Sequence, residues 1–292
     1  MKTLVADIGG TNSRLAVAIT SKKNRKIILE NIQKFKNSDF NNFEEIIEKY
    51  LSSSNDNFIS RVCIAAAGII SEDTVEMSNL DWKITVQSLQ KTSNIKSVLI
   101  INDLQAQGYA LDFIKQKDLE KLIEGNYSAA QIDTKLVCGM GTGFNVAIAY
   151  QTAFGTFVPA SEYGHARTTT ANEKQKLIVK QLEENSSFVS YENILAGSGL
   201  NRLDKVLNRR EDRSPSDILE AAKVGDLKAK EVGSQLAGFA GQAFGDFALM
   251  NMALGGVYLI GGVARAMRPY LKEENFKQNF YNRGNFSEIM KK

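Results

Sequence analysis

Two short constellations carry side chains able to move a proton or grip a polar ligand. Asn102-Asp103 follows the apolar run Val98-Leu99-Ile100-Ile101, and Glu162-Tyr163-Gly164-His165 sets a carboxylate three residues from the only histidine in the chain, across a glycine. A carboxylate at the end of a buried strand can accept a hydroxyl proton, and the amide beside it can hold hydroxyl groups. Open α/β sheets collect ligands at those carboxyl ends. The Glu162–His165 spacing lets both side chains converge on one small polar ligand. Ordinary readings stand beside these. Asn and Asp are favoured helix N-caps, a lone histidine is more often structural than catalytic, and Glu192 in Tyr191-Glu192-Asn193-Ile194-Leu195 fits a solvated surface acid equally well.

Two glycine turns add a different chemistry. Leu4-Val5-Ala6 runs into Asp7-Ile8-Gly9-Gly10-Thr11-Asn12 and resumes as Leu15-Ala16-Val17-Ala18. Without Cβ atoms in the way, such a turn can bring backbone N–H groups close to an anion. An Asp beside it suits a hydrated Mg²⁺ carried on a nucleotide. The competing reading is a plain hairpin. Leu136-Val137-Cys138-Gly139-Met140-Gly141-Thr142-Gly143-Phe144-Asn145-Val146-Ala147-Ile148-Ala149 repeats the plan with a turn one residue different in length. Two such units far apart in one chain point to two related domains facing each other across a cleft, one turn for a β-phosphate and the other for a γ-phosphate. Chance similarity of two apolar hairpins is the alternative.

The elements that would hold these groups follow from hydrophobic spacing. Strands are expected at about 3–8, 14–20 and 27–35, then a helix from Phe43 with Ile46, Ile47, Tyr50 and Leu51 at the helical interval. Arg61–Gly68 and Ser97–Asp103 read as strands with a short helix between them. Being apolar throughout, they are expected to be parallel and covered on both faces. Helices are expected at 172–183 and after Ser214-Pro215, where proline suits the first turn. A long helix should follow, with Val232, Leu236, Phe239, Ala243 and Phe247 on one stripe. Gly233, Gly238, Gly241 and Gly245 lie in it, each costing about 1 kcal/mol relative to Ala. That points to close approach by another backbone or a flat ligand, with a helix crossing favoured. Gly255–Ala264 reads as a last strand ending in a glycine turn.

Composition narrows the function classes. The 292 residues are long for one core and comfortable for two lobes. Hydrophobic content of 43% and charged content of 24% are those of an ordinary globular protein. A net charge of +3 gives no reason to expect nucleic acid, and the basic cluster Lys22–Lys26 reads as a solvated hairpin tip. No apolar run has the length of a membrane span, and the first strand begins too early for a leader or an N-terminal DNA-binding helix pair. The expected address is cytoplasmic. Cys63 and Cys138 lie in apolar runs and read as inert core residues. Two cysteines and one histidine cannot complete a four-ligand zinc site.

Taken in order, Asp7–Arg14, Asn102-Asp103-Leu104-Gln105-Ala106, Gly141-Thr142-Gly143-Phe144, Glu162–His165, Glu192 with Gly197-Ser198-Gly199-Leu200, and Gly261-Gly262-Val263-Ala264 resemble the bacterial ATP-dependent glucokinase family of the actin/hexokinase-like superfamily. The likeness covers nearly the whole chain. It implies an α/β, two-lobed actin-like/ribonuclease H-like ATPase fold with the active-site cleft between lobes, residues 1–105 forming the small lobe and 106–292 the large one. It also implies ATP with Mg²⁺ and D-glucose as ligands, and a homodimer. By the same resemblance, Ala6, Asp7, Ile8, Gly9, Gly10, Thr11 and Asn12 would receive ATP phosphates, with Asp7 near Mg²⁺ through water. Gly141, Thr142 and Gly143 would form the second phosphate loop, and Gly261 and Gly262 would flank adenosine. Asn102, Asp103, Glu162, His165 and Glu192 would hold glucose, with Asp103 as the base for its 6-hydroxyl.

The sequence departs from that pattern in three places. Tyr163 replaces a glycine between the sugar-binding Glu and His, and would be strained if the position required positive φ. Asn145 replaces a glycine after the second phosphate loop. The sequence ends at Lys292, before the Pro-Gly-rich turn and final helix that family members usually carry and that would be expected to pack back towards the first lobe. A kinase for another hexose or an amino sugar, and a catalytically weak sugar-binding regulator, are the competing functions. A Rossmann dehydrogenase fits poorly, because Phe144 stands where a third glycine belongs.

Overall fold

The computed structural model describes residues 2–20, 27–53, 59–77, 80–92, 95–125, 133–184, 186–210 and 213–292. The chain divides into two compact units, Met1–Ala106 and Gln107–Lys292. The Lys22–Lys26 cluster lies outside the described residues.

The first unit runs β1 (Lys2–Ile8), β2 (Asn12–Thr20), β3 (Ile27–Lys36), α1 (Phe43–Ser53), β4 (Arg61–Ala66), β5 (Gly68–Ser71), β6 (Thr74–Met77), β7 (Lys83–Thr85), α2 (Val86–Thr92), β8 (Ser97–Asn102) and α3 (Asp103–Ala110), within which the division falls. Its main sheet has the order β3-β2-β1-β4-β8. The first three strands form an antiparallel meander, while β4 and β8 continue parallel to β1. Leu4, Ala6 and Ile8 share a buried face with Val62, Ile64 and Ala66, packed under Phe43, Ile46, Ile47 and Tyr50 of α1.

Coverage of both faces, expected from the apolar runs, is not what forms. Burial alternates along β4, Cys63 is only half-buried, and Leu99 on β8 is 55% exposed. Helices α1 and α2 both pack on the Leu4–Ile8 side, so Cys63 is not a sealed core residue as Cys138 is. The stretch read as a short helix also differs. Before α2 it forms a separate three-stranded antiparallel sheet, β5-β6-β7, whose three- and four-residue strands are too short to show a period.

The second unit holds β9 (Lys135–Met140), β10 (Phe144–Thr152), β11 (Gly155–Phe157), α4 (Glu173–Glu183), α5 (Tyr191–Leu195), α6 (Gly197–Asn208), α7 (Pro215–Lys223), α8 (Leu227–Met250), β12 (Val257–Ile260), α9 (Gly262–Ala266), α10 (Arg268–Leu271) and α11 (Glu274–Tyr281). Its sheet order is β11-β10-β9-β12, with β9 antiparallel to β10 and parallel to β12. That is the layout of β3-β2-β1-β4, so the repeat seen in the sequence is a repeat of topology. Ser214 caps α7 through a reciprocal box with Asp217.

Helix α8 buries its predicted stripe of Val232, Leu236, Phe239, Ala243 and Phe247. The glycines on it answer to a helix crossing. A methyl group at Gly241 would strike the Phe276 carbonyl of α11, and one at Gly245 would meet the Phe280 carbonyl and the Arg283 guanidinium. The helix cost of these glycines is offset by the close packing they allow.

Candidate active site

In the first unit, parallel pairing lines up the strand ends. Ile8, Ala66 and Asn102 share one register row, so the Asp7–Asn12 turn and Asn102-Asp103 lie along the same carboxyl edge. The turn is held in part by Ser13 and Asn37, neither of which had a role from the sequence. Gly9 N–H donates to the Asn12 carbonyl (3.0 Å) and Asn37 N–H to the Thr11 carbonyl (3.0 Å). The Asn37 side chain donates to the Gly9 carbonyl (2.8 Å) and accepts from the Ser13 hydroxyl (2.8 Å). Asn37 and Ser13 are buried polar residues in a sequence context that reads as a strand end, and only their shared placement shows the role. Asn37→Ala would leave the Ser13 hydroxyl and Gly9 carbonyl without this partner. It is expected to cost about 1–3 kcal/mol, read as a lower melting temperature.

Asp7 accepts from Arg14 across the turn at 3.1 Å, both side chains being more than half exposed. Asn102 performs the capping role anticipated as its ordinary reading: its side-chain oxygen accepts from Leu104 N–H (2.9 Å), while its own N–H donates to the Gln105 side chain (3.0 Å). Capping and ligand binding are compatible, since the cap uses the oxygen and leaves the amide N–H₂ facing the Gly68 carbonyl at a loose 3.5 Å. Asp103 opens α3 and also accepts from Leu104 N–H (2.8 Å). Its carboxyl is pushed above the usual aspartate range, chiefly because surrounding protein desolvates it, with the Asp7 charge adding to the effect and the Leu104 N–H opposing it. The residue is nonetheless open to solvent. A carboxylate so placed is a better base than a fully solvated one.

In the second unit two glycine turns and the glycine start of α6 meet at the carboxyl ends of β9 and β12. Gly141 N–H donates to the Gly143 carbonyl (2.9 Å), and the Gly141 carbonyl accepts from Gly197 N–H at the start of α6 (2.9 Å). Gly261 has φ +104° and lies so close to the Met140 carbonyl that any Cβ would overlap it. Gly262 and Gly141 face open space. Neither α6 nor α9 has a side-chain cap, so first-turn N–H groups of both helices start from this cluster. Gly197 is a participant that the sequence reading left without a role.

Glu192, on α5, is half-buried and not a solvated surface acid. Its Oε2 accepts from Phe144 N–H at 2.9 Å and would touch any Cβ at Gly143. Glu162 and His165 flank a single 3₁₀ turn, with Glu162 Oε2 and His165 Nε2 4.0 Å apart and both side chains more than half exposed. The two side chains therefore lie side by side. Gly164 between them is obligatory, because a Cβ there would collide with the Phe144 carbonyl. Tyr163 is not strained. It is absent from the positive-φ residues of the described chain, and its ring packs edge-on against Phe247 at 5.0 Å between centroids. The ring fills the core, which removes the expected conflict with glycine.

The family model described as Glucokinase matches residues 4–292. The chain belongs to the glucokinase family. A glucokinase of Colwellia psychrerythraea is 30% identical over 98% of this chain and 88% of its own. The structure of a glucokinase from an Antarctic psychrotroph superposes with TM-score 0.88 at 28% identity, covering 99% of this chain and 91% of that one. A ROK-family glucokinase of Streptomyces griseus, solved with glucose and AMPPNP, shares the fold at TM-score 0.55 and 20% identity over 96% of this chain and 90% of its own. Membership in the glucokinase family makes this chain a hexose kinase, and the two-lobed α/β fold follows with it.

Proposed function

We propose that this chain transfers the γ-phosphoryl group of ATP to the 6-hydroxyl of D-glucose, giving glucose 6-phosphate and ADP. The observation that supports it most directly is the pairing of chemistries at strand ends. Each unit presents a glycine turn with bare backbone at the carboxyl edge of its sheet, and each presents polar side chains suited to sugar hydroxyls beside that turn.

In this reading Ala6 to Asn12 and Gly141, Thr142 and Gly143 receive the phosphates, while Gly261 and Gly262 flank adenosine. Asn102, Glu162, His165 and Glu192 hold sugar hydroxyls, and Asp103 takes the 6-hydroxyl proton as the oxygen attacks. Phosphoryl transfer needs alignment and charge neutralisation more than covalent help. Mg²⁺ would contribute by offsetting charge on the phosphates. Among the described residues no group of three or more His, Cys, Asp or Glu could hold a metal ion. The single exposed carboxylate of Asp7 therefore fits a hydrated ion carried in on ATP rather than a resident cage. Polar side chains gripping several hydroxyls discriminate sharply, since a missing hydroxyl strands its partner. No helix among the described residues is long and apolar enough to cross a membrane; a cytoplasmic homodimer without nucleic-acid partners completes the proposal.

The test is ADP release from the purified protein across a panel of hexoses and amino sugars. Release with glucose well above the other sugars is the expected result, and glucose binding without turnover would favour the regulator instead. Glu162→Ala and His165→Ala are each expected to raise the KM for glucose about tenfold or more, on the scale of one lost polar contact, with little change in the KM for ATP. An unchanged glucose KM would remove the residue concerned from the sugar site.

A further inference from the structure

We propose that Asn145 is a positioning residue for sugar recognition, holding the Glu162 carboxylate and the Glu162–His165 turn in binding geometry; this rests on Glu162 being a sugar ligand, as proposed above. Asn145 is the second residue of β10. Its Nδ2 donates to Glu162 Oε2 (2.9 Å) and to the Ser161 carbonyl (2.9 Å). Its Oδ1 accepts from Gly164 N–H (3.2 Å) and from Val146 N–H (2.8 Å). Both donor hydrogens and both acceptor positions of one side-chain amide are thus used. The orientation of the amide follows from its neighbours, because a reversed amide would set its oxygen against a carboxylate and a carbonyl.

The arrangement spans the Glu162–His165 turn at three points: the Ser161 carbonyl before it, a carboxylate at its start and the Gly164 N–H inside it. The Ser161 hydroxyl adds a fourth tie by donating to the Val146 carbonyl at 2.6 Å. The adjacent residue, Phe144, holds Glu192 through its N–H. Two consecutive residues of β10, directly after the Gly141–Gly143 turn, therefore fix two of the acids assigned to the sugar. An exposed glutamate left to itself samples several rotamers, and sugar binding would have to order it. Here a charge-assisted bond orders it in advance.

Asn145→Ala removes the tie, and Asn145→Asp keeps the shape while placing a second anion against Glu162. The expected result is a glucose KM raised about tenfold by Asn145→Ala and further by Asn145→Asp, with the KM for ATP and kcat changed less than about threefold on this scale. In a Glu162→Ala background, Asn145→Ala should add a clearly smaller change than it makes in the parent, since the share of its effect that runs through Glu162 is already lost. Should Asn145→Asp fail to fold, the alanine variant and its double mutant carry the test. If Glu162→Ala raises the glucose KM while neither Asn145 variant does, the positioning role is overturned and the sugar role of Glu162 stands. If the Asn145→Ala effect persists undiminished without Glu162, or strikes the KM for ATP equally, the residue is a structural tie and the inference fails. If Glu162→Ala itself leaves the glucose KM unmoved, both fall.

Discussion

Replacing Asp103 by asparagine is expected to lower kcat by about 10²–10⁴-fold, with the fold intact and the KM for ATP close to unchanged. Asparagine keeps the size of the side chain and an oxygen for the Leu104 N–H, so the start of α3 survives. It loses the ability to take a proton. Stability should not fall. The folded environment raises the Asp103 pKa, chiefly by desolvation, so the ionised form is disfavoured in the fold relative to the unfolded chain. That effect favours folding at low pH and opposes it once pH rises through the raised pKa. A neutral asparagine removes the opposition, and the melting temperature near neutral pH should be equal or slightly higher. In the parent enzyme the acid limb of kcat/KM should fall above the ordinary aspartate range, with activity lost as pH drops through it. Wild-type kcat in Asp103→Asn would exclude this residue as the base.

The two glycines that follow β12 should separate fold from function. Gly261→Ala is expected to destabilise the chain by about 3 kcal/mol or more. The positive φ costs on the order of 1–3 kcal/mol for a non-glycine residue, and overlap with the Met140 carbonyl adds a further ~1–3 kcal/mol. Its melting temperature should drop clearly. Gly262→Ala meets nothing within 4 Å and adopts ordinary helical backbone at the start of α9, so its melting temperature should match the parent's. Its methyl group would instead project from the turn assigned to adenosine, and the KM for ATP should rise several-fold. A Gly262→Ala enzyme with an unaltered KM for ATP would move the nucleotide away from this turn. A Gly261→Ala protein as stable as the parent would contradict the close approach of β12 to β9.

The sequence was legible wherever local chemistry and tertiary placement agree. The strand–turn–strand at Asp7, its second copy at Gly141 and the capped start of α7 at Ser214 each carry their own instruction, because glycine turns and capping boxes act over a few residues. The same holds for the α8 stripe, whose 3.6-residue period must face one core. Tyr163 shows where such reading stops. A pattern with glycine at that place predicts strain, yet the backbone there has negative φ and the ring finds Phe247 more than eighty residues later. Nothing local announces that partner.

From the sequence alone came two α/β units built on one repeated plan, the glycine turns, and the acidic and histidine side chains proposed above for the sugar, since these depend on residue type and short-range spacing. Folding in three dimensions decided which atoms those groups touch. Asn37 pins the first turn, Gly197 and Gly261 close on the second, Glu192 is tied to Phe144, and Asn145 grips Glu162. Each of these joins residues separated by more than a dozen positions or by whole strands, and a hydrogen bond has no signature in a chain until both partners have been brought within about 3 Å.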